Sequence, residues 1–238
     1  MRPIHIITPV KNSIESTYQT IKAILSSNIS RPYTYTIYND FSTEENTALL
    51  ERYSKELGFE LVNLADITTN PSPNYLLVLL RCQQRALEAN ADILIVESDV
   101  VVRPDTIQSL ADGADRYADC GIAAAVTVDE QGEINYPYEF ARGEDGRDYA
   151  VSNHCSFCCS LLTNKLLSTF DLNELNPDKH WFDVTISHKA RALGFNNYLF
   201  ASLPVIHRPH ASRPWKQLKY TNPVKYYWIK FTKGFDKI

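Results

Sequence analysis

The sequence predicts an α/β protein with a mostly parallel central sheet that helices cover on both faces. Short apolar runs alternate along the chain with longer segments of helical periodicity. One of these runs, Ile93 to Val96, is apolar at every position, which is typical of a strand that is buried on both faces. The two patterns together indicate parallel strands that are joined by crossover helices.

Local patterns define the elements of the first third of the chain. The run Ile4 to Val10 is short and apolar, residues 33–38 are rich in β-forming side chains, and residues 59–64 make a third strand. Apolar residues at helical spacing predict a helix over residues 14–27. A capping box that begins at Ser42 opens the second helix.

Turn and cap signals continue the alternation through residue 128. Gly58 ends the second helix, and a third helix is predicted over residues 75–89. Ile93 to Val96 is the fourth strand. Pro104 begins another helix, because proline suits the first helical turn. Residues 121–128 are a fifth strand.

The pattern is less regular after Val128. Residues 129–149 are polar and rich in turn-forming residues, which favours a loop or hairpin region over the active face. Helices are predicted over residues 164–169 and 184–193, and one or two strands over residues 197–207. The tail that follows is aromatic and basic, and part of it is predicted to be helical.

The 238-residue chain has an ordinary globular composition, with 44% hydrophobic and 22% charged residues. Its net charge of −4 argues against a nucleic-acid partner. The charge is uneven, because residues 213–238 carry seven basic residues and one acidic residue. We therefore expect a single domain over residues 1–212, followed by a basic aromatic tail over residues 213–238.

The cysteines and the N-terminus favour a cytoplasmic location. A predicted strand begins almost at the first residue, so no signal peptide is expected. An odd number of cysteines, five, is typical of reduced thiols in a protein without a secretion signal. No apolar run approaches the ~20 residues that a membrane-spanning helix needs.

Polar motifs follow three of the predicted strands. They are Thr8-Pro9, Asn39-Asp40 and Glu97-Ser98-Asp99. Ligands of open α/β sheets bind beyond the carboxyl ends of the strands, so all three motifs should open on one edge. Carboxylates two positions apart suit Mg²⁺ or Mn²⁺, which would bridge a diphosphate. Alternatively, Asp99 only caps a turn before the next helix.

Asp40 has two interpretations. Aspartate is a natural helix N-cap, and the predicted second helix begins close by. However, Ser42 already supplies that cap through its capping box with Glu45. We therefore expect the Asp40 carboxylate to be available to a nucleoside.

Five blocks in this order resemble a family 2 glycosyltransferase of the GT-A fold. They are IITPVKNS, YNDFST, LLRCQQRALEANADILIVESDVVVRPDTI, HWFDVTISHKARALGF and VIHRPHAS. The set covers nearly all of residues 4–227, and its order and spacing are more specific than any single block. The resemblance implies a Rossmann-like GT-A domain with a nucleotide-sugar-binding half, residues 1–128, and an acceptor-binding half, residues 129–212.

On the donor side, the resemblance implies nucleotide contacts from several blocks. Thr8 and Pro9 would contact the nucleobase, and Asp40 would lie near the base or the ribose. Arg81 matches an arginine that reaches the nucleotide. These positions follow the order of the family's blocks in this sequence.

The acid motif resembles the family's DxD motif, with a glutamate in the first position. The resemblance implies that Asp99 is a metal ligand, that Glu97 faces the ribose or the metal, and that Ser98 belongs to the nucleotide-sugar site. His207 matches the histidine that often completes the metal site, and His210 is a second candidate. Taken alone, His207 favours an ordinary histidine near a strand end over a metal ligand.

Asp183 matches the family's catalytic base. Phe182 stands where the family usually has a glutamate, which removes a charge that would raise the pKa of Asp183. The alternative for Asp183 is that it caps the helix predicted over residues 184–193.

The resemblance implies inverting transfer of a sugar from a nucleoside-diphosphate donor to a hydroxyl of a saccharide or lipid-linked acceptor. Uridine is the family's commonest nucleoside, and assembly of bacterial cell-surface polysaccharide is a typical setting. Asp183 would accept the proton of the acceptor hydroxyl. Mn²⁺ or Mg²⁺ would offset the charge of the leaving diphosphate. Attack on the face opposite the leaving group would invert the sugar.

Cys155, Cys158 and Cys159 form a compact cysteine motif. A structural zinc site needs four ligands, and the chain has no second paired motif, even if His154 is included. We interpret these residues as small buried side chains on a segment that lines the acceptor pocket.

The tail interleaves lysines with aromatic residues. One interpretation is an interfacial segment that makes peripheral contact with anionic lipid, which would suit a lipid-linked acceptor. The favoured interpretation is that the aromatic side chains, among them Trp215 and Tyr220, pack the tail onto the domain while the lysine ammonium groups stay in solvent.

Two other functions stay open. A catalytically degenerate protein of the same fold would bind a nucleotide sugar without turnover, as Glu97 and Phe182 suggest. A sugar-phosphate nucleotidyltransferase would need a glycine-rich loop after the first strand, where TPVKNS has no glycine. The sequence contains neither GxGxxG nor GxxxxGK[ST], which argues against a dinucleotide dehydrogenase and a P-loop enzyme.

Overall fold

A computed structural model describes residues 1–143, 146–179, 181–208 and 222–232. Within these ranges the chain forms one nine-stranded sheet with helices on both faces. The strands are β1 (Ile4–Val10), β2 (Tyr33–Asn39), β3 (Glu60–Asn63), β4 (Asp92–Val96), β5 (Val100–Val101), β6 (Cys120–Val128), β7 (Tyr149–Ala150), β8 (Cys159–Leu162) and β9 (Asn196–His207). This architecture confirms the predicted α/β class.

Seven α-helices connect or flank these strands in the described residues. They are α1 (Ile14–Leu25), α2 (Glu44–Leu57), α3 (Tyr75–Glu88), α4 (Thr106–Arg116), α5 (Asn164–Thr169), α6 (Phe182–Ala192) and α7 (Pro223–Thr232). The segments Leu64–Asp66, Glu139–Ala141 and Leu172–Glu174 form short 3₁₀ turns.

The strand order is β3-β2-β1-β4-β8-β6-β9-β5, and β7 pairs with β9. Strands β3, β2, β1 and β4 run parallel, whereas β8 is antiparallel to both of its neighbours. In register, Val10 aligns with Asn39 and Ile7 with Ile95. The carboxyl ends of β1, β2 and β4 therefore lie at one edge, where the sequence places its polar motifs.

The sheet separates two hydrophobic cores. Helices α1, α2 and α4 cover one face through residues such as Ile21 and Leu110. Helices α3, α5 and α6 cover the other face through residues such as Leu79 and Ile186. All five residues of β4 are buried, and its apolar residues alternate between the two cores. This explains why the sequence from Ile93 to Val96 is apolar without interruption.

Strand β8 is the main element that the sequence analysis missed. Its residues were interpreted as a pocket lining, but they form a strand between β4 and β6. Four residues that are buried on both faces show no alternation, so periodicity does not separate such a strand from a buried loop. Strands β5 and β7 were also missed, since each has two residues and depends on pairing with β9.

Several predicted helix starts are wrong by one or two residues. Thr43, not Ser42, caps α2, because its side chain accepts the Asn46 N–H. Ser42 instead accepts the Asn12 N–H through Oγ at 2.8 Å. Helix α4 begins at Thr106, two residues after Pro104. Gly58 ends α2, as predicted, and its φ of +80° is that of a left-handed C-cap.

Helix α7 is the part of the basic tail that the structure describes, and Trp215, Tyr220 and His210 lie outside the described residues. Its apolar residues Val224, Tyr227, Trp228 and Phe231 are 82%, 58%, 70% and 82% exposed. For these side chains, the favoured expectation that the tail packs onto the domain is wrong. No helix in the described ranges combines the length and apolar character that a membrane span requires.

Candidate active site

The candidate site lies where β4, β8 and β9 meet at the carboxyl edge of the sheet. Glu97 directly follows β4, and its N–H donates to the Cys158 carbonyl at 2.9 Å. The Val100 N–H donates to the Glu97 carbonyl at 3.1 Å, which closes a tight turn through the acid motif. His207 is the last residue of β9 and aligns with Val100. Backbone pairing therefore brings three distant sequence segments together.

Glu97, Cys158 and His207 form a cluster of potential metal ligands. One ligand atom of each residue lies within 4.8 Å of the other two. The Cys158 Sγ atom lies 3.5 Å from Glu97 Oε2 and 3.9 Å from His207 Nε2. Cys158 and His207 are buried and Glu97 is partly buried. A carboxylate, an imidazole and a thiol that converge in this way fit a divalent cation.

The His207 ring is oriented by its second nitrogen. Nδ1 lies 2.7 Å from the Tyr136 carbonyl oxygen, to which it donates, so Nε2 of the neutral ring is the acceptor that faces the cluster. The Asp99 Oδ2 atom lies 3.6 Å from Nε2. The Asn135 side-chain amide donates to the His207 carbonyl at 2.9 Å. The segment predicted to lie over the active face thus supports the site directly.

Charge is concentrated around the cluster. Burial raises the pKa of Glu97, and the negative charges of Asp99 and Asp183 raise it further. Burial by itself would lower the pKa of His207, but the hydrogen bond and the charge of Asp99 outweigh it and raise the pKa overall. A bound cation would offset the repulsion among these carboxylates.

Asp183 lies in the first turn of α6, at the second helical residue. Trp181 occupies the N-cap position, so the alternative that Asp183 is the N-cap is wrong. The Asp183 Oδ1 atom accepts the Val184 N–H at 2.9 Å, and the helix N-terminus favours a negative charge here. The charge of Asp183 also raises the pKa values of Tyr75 and Glu97.

Aromatic side chains form a wall beside the cluster. The Tyr75 ring stacks between Phe157 and Phe182, with ring centroids 6.4 Å apart in both pairs. The Tyr75 hydroxyl is buried, and no hydrogen-bond partner for it exists among the described residues. Phe182 is a buried packing residue, which explains an apolar side chain beside Asp183.

The pKa values of two tyrosine hydroxyls near the carboxylates are raised. Burial, then the charges of Glu97 and Asp183, raise the pKa of Tyr75 well above its usual value. Burial, followed by the charge of Asp183, raises the pKa of Tyr136 to about 12. Both hydroxyls are therefore protonated near neutral pH. The sequence analysis missed Tyr75, Tyr136 and Cys158 as site residues, because no local motif contains them.

Asp40 has a structural role that the sequence analysis did not foresee. Its Oδ2 atom accepts hydrogen bonds from the Ser72 hydroxyl at 2.7 Å and the Asn74 N–H at 2.9 Å. Its Oδ1 atom accepts from the Asn74 side-chain amide at 2.8 Å. These contacts were not predicted from the sequence, and the expected nucleoside contact of Asp40 stays a prediction. These bonds hold the start of α3, where Tyr75 is the first helical residue.

The other residues that were predicted to bind the nucleotide sugar do not all lie at the carboxyl edge of the sheet. Thr8 is fully buried, and its hydroxyl lies 3.1 Å from the Tyr35 hydroxyl, so its side chain is turned into the core. Pro9 is partly exposed next to it. Ser98 is buried within the turn of the acid motif, and Arg81 is exposed on α3, outside the metal-ligand cluster.

No family model and no curated protein matches the sequence. The fold nevertheless resembles solved structures. A mannosyltransferase from Pyrobaculum calidifontis, PcManGT, in complex with GDP-Man and Mn²⁺, has a TM-score of 0.63 and 13% identity, over 96% of this chain and 64% of that chain. S. aureus TarS 1-349 in complex with UDP-GlcNAc has a TM-score of 0.62 and 15% identity, over 98% of this chain and 65% of that chain.

A third similar structure is GalNAc-T7 with UDP, GalNAc and Mn²⁺, with a TM-score of 0.63 and 11% identity, over 87% of this chain and 44% of that chain. This chain therefore spans less than two thirds of the length of each of the three. All three are glycosyltransferases of the GT-A type, and at these identities the likeness concerns the fold. The chain has the GT-A fold, a mostly parallel α/β sheet flanked by helices.

We expect His207 to make the stability of the metal-free protein depend on pH. The folded-state pKa of His207 is raised above the reference value of 6.5, so its stabilisation is complete below that value and is lost as the pH rises through the folded-state pKa. A difference of one pKa unit between the folded and unfolded states corresponds to about 1.4 kcal/mol in the free energy of unfolding. Urea denaturation in EDTA should show the stability difference between wild type and His207→Gln shrinking as the pH rises above neutrality.

The control for this measurement is His188→Gln, at an exposed position on α6. This variant should retain the pH dependence of the wild type. A His207→Gln variant with the pH slope of the wild type would show that His207 does not titrate as the geometry requires.

Proposed function

We propose that this chain is a family 2 glycosyltransferase that transfers a sugar, with inversion, from a nucleoside-diphosphate donor to an acceptor hydroxyl. The observation that carries this proposal is the cluster of Glu97, Cys158 and His207 at the carboxyl edge of a GT-A sheet, where the charge of Asp183 also acts on Glu97. Structures with this fold were solved with GDP-Man, UDP-GlcNAc and UDP. A nucleotide-sugar donor is the ligand class that they have in common.

The donor site would extend along the edge from β1 to β4. Pro9 and the Asp40 turn lie near the ends of β1 and β2, beside the acid motif. We propose a uridine nucleotide, which is the common choice in the family that the sequence resembles. Asp40 retains acceptor capacity for a ribose hydroxyl, because two carboxylate oxygens accept about four hydrogen bonds.

The metal-ligand cluster fits a divalent cation, for which we propose Mn²⁺ or Mg²⁺. Asp99 and His207 are proposed to hold it, since Asp99 Oδ2 lies 3.6 Å from His207 Nε2, and Glu97 is a further ligand of the cluster. When bound, the cation offsets the charge that develops on the diphosphate leaving group. The hydroxyl of Tyr136, an exposed residue, would donate a hydrogen bond to the same anionic group.

Asp183 is the proposed general base. The Val184 N–H orients its carboxylate, and the first turn of α6 stabilises the ionised form. It would take the proton from the acceptor hydroxyl as the oxygen attacks the anomeric carbon. Attack from the face opposite the diphosphate inverts the configuration at that carbon.

The exposed face of α7 supports a lipid-linked acceptor at a membrane surface. Val224, Tyr227, Trp228 and Phe231 have the spacing i, i+3, i+4 and i+7, which places them on one helix face. Seven basic residues lie between 213 and 238. An apolar face with basic neighbours is typical of peripheral binding to anionic lipid. We propose that this contact holds the enzyme at the cytoplasmic face, close to its acceptor.

The first experiment is a thermal-shift panel of nucleotide sugars, with and without Mn²⁺. We expect stabilisation that requires both the metal and one nucleoside diphosphate, since binding to the folded state alone contributes about 2.7 kcal/mol at 100 times Kd. The panel should include UDP-linked and GDP-linked sugars. If no nucleotide stabilises the protein under any metal condition, the proposed function is wrong.

The second experiment tests the general base. Asp183→Asn should lower sugar transfer by about 10²–10⁴-fold and leave nucleotide binding unchanged, because the amide cannot accept the proton. Asp178→Asn, at an exposed position before α6, is the matched control and should transfer normally. Equal transfer by wild type and Asp183→Asn would contradict the base assignment. A wild type that binds the donor without any transfer would favour the degenerate alternative.

The third experiment tests the membrane contact by co-sedimentation with lipid vesicles. The wild type should bind vesicles that contain phosphatidylglycerol, more weakly at high salt, because the basic residues act through screened charge. Trp228→Ala combined with Phe231→Ala should abolish this binding, whereas Phe140→Ala, at another exposed aromatic position, should not. Equal binding by wild type and the double variant would contradict the role of α7.

A further inference from the structure

We propose that the Cys158 thiolate is a ligand of the metal and raises the affinity of the site for thiophilic cations such as Zn²⁺ above its affinity for the Mn²⁺ or Mg²⁺ of the proposed function. The inference rests on the metal site of the proposed function, but not on sugar transfer itself. The compact cysteine motif is not involved as a unit, because only Cys158 belongs to the ligand cluster. The partners of Cys158 come from segments 61 residues before it and 49 residues after it.

The distances fit coordination. Zn²⁺ binds sulfur at about 2.3 Å and nitrogen or oxygen at about 2.0–2.2 Å. At a tetrahedral angle, these bond lengths place a sulfur about 3.6 Å from a nitrogen or oxygen ligand of the same ion. The observed separations are 3.5 Å from Cys158 Sγ to Glu97 Oε2 and 3.9 Å to His207 Nε2. All three ligand atoms lie within 4.8 Å of one another, so side-chain adjustment would bring them within bonding distance of one ion.

Backbone pairing holds the thiol in place. The Glu97 N–H donates to the Cys158 carbonyl at 2.9 Å, and Val96 aligns with Cys159 in the β4–β8 pair. The adjacent positions of Glu97 and Cys158 are thus set by the sheet itself. The imidazole is set independently by the Nδ1 hydrogen bond of His207 to the Tyr136 carbonyl. Ligands that are already positioned lose little conformational freedom when an ion binds.

The thiol changes which cation the site prefers. Mg²⁺ and Mn²⁺ favour oxygen ligands, whereas thiolate ligands select softer cations such as Zn²⁺. Three protein ligands would leave one tetrahedral position for a diphosphate oxygen, as in zinc sites that keep an open position. On binding, the S–H bond breaks, a bond between sulfur and metal forms, and the proton passes to solvent.

X-ray absorption of the wild-type protein loaded with one equivalent of Zn²⁺ tests the inference without a variant. We expect one sulfur neighbour at about 2.3 Å together with nitrogen and oxygen neighbours. A shell that contains only nitrogen and oxygen would overturn the inference.

Variants then assign the sulfur. Co²⁺ or Cd²⁺ bound to the wild type should show the ultraviolet charge-transfer absorption of a metal thiolate, and Cys158→Ala should abolish it. The matched control is Cys159→Ala, because Cys159 is the next residue and is fully buried, but lies outside the ligand cluster. This control should retain the absorption. A Cys158→Ala protein that keeps the band would overturn the assignment.

Competition measures the preference. The affinities are measured by titrating Zn²⁺ into the Mn²⁺-loaded protein and following the release of Mn²⁺. Cys158→Ala should bind Zn²⁺ at least about tenfold more weakly than the wild type, and its Mn²⁺ affinity should fall much less. The reason is that loss of a thiolate ligand mainly weakens the binding of a thiophilic ion. Equal losses for both ions would overturn the preference. If sulfur coordination is found but no nucleotide sugar is bound or transferred, the proposed function fails and this inference stands. If donor-dependent transfer is found without sulfur coordination, this inference fails and the proposed function stands.

Discussion

Repulsion among carboxylates at the end of a buried strand is the constraint around which this site is arranged. Strand β4 is buried on both faces, and Glu97 and Asp99 follow it at once, with the charge of Asp183 acting on Glu97 across the site. Such a concentration of negative charge in a partly buried place is unfavourable unless a cation or a hydrogen-bond donor compensates it. The His207 imidazole beside Asp99 is the compensating group that the protein itself provides.

The rest of the fold serves to bring that compensation to β4. Strand β8 enters the sheet antiparallel between β4 and β6, which sets Cys158 against Glu97. Strand β9 runs twelve residues to deliver His207 at the same edge. On the opposite side, Asp40 holds the start of α3 and thereby positions the Tyr75 ring against Phe182, next to Asp183. Strand pairing and helix packing thus position the side chains that surround the acidic residues after β4.

Much of the fold could be predicted from the sequence, because strong local patterns define β1, β2, β4, α1 and α3. The sequence also predicted that the polar motifs share one edge of the sheet, since parallel strands end on the same side of a sheet. The predictions failed where local and tertiary roles differ. Ser42 has the right chemistry for a helix cap, yet it bonds to Asn12, and Thr43 caps α2. Asp40 was expected to face a nucleoside, and its hydrogen bonds to the start of α3 were not predicted from the sequence.

The sequence by itself determined the α/β class, the buried β4 strand and the placement of Glu97 and Asp99 at its end, because hydrophobic periodicity and strand direction are local properties. Only the tertiary structure decided which side chains join those acids. Cys158 reaches Glu97 through an antiparallel strand that has no local signature, and His207 reaches both by β-pairing over a long sequence separation. Contacts of this kind depend on sheet order and register, which a single sequence does not display.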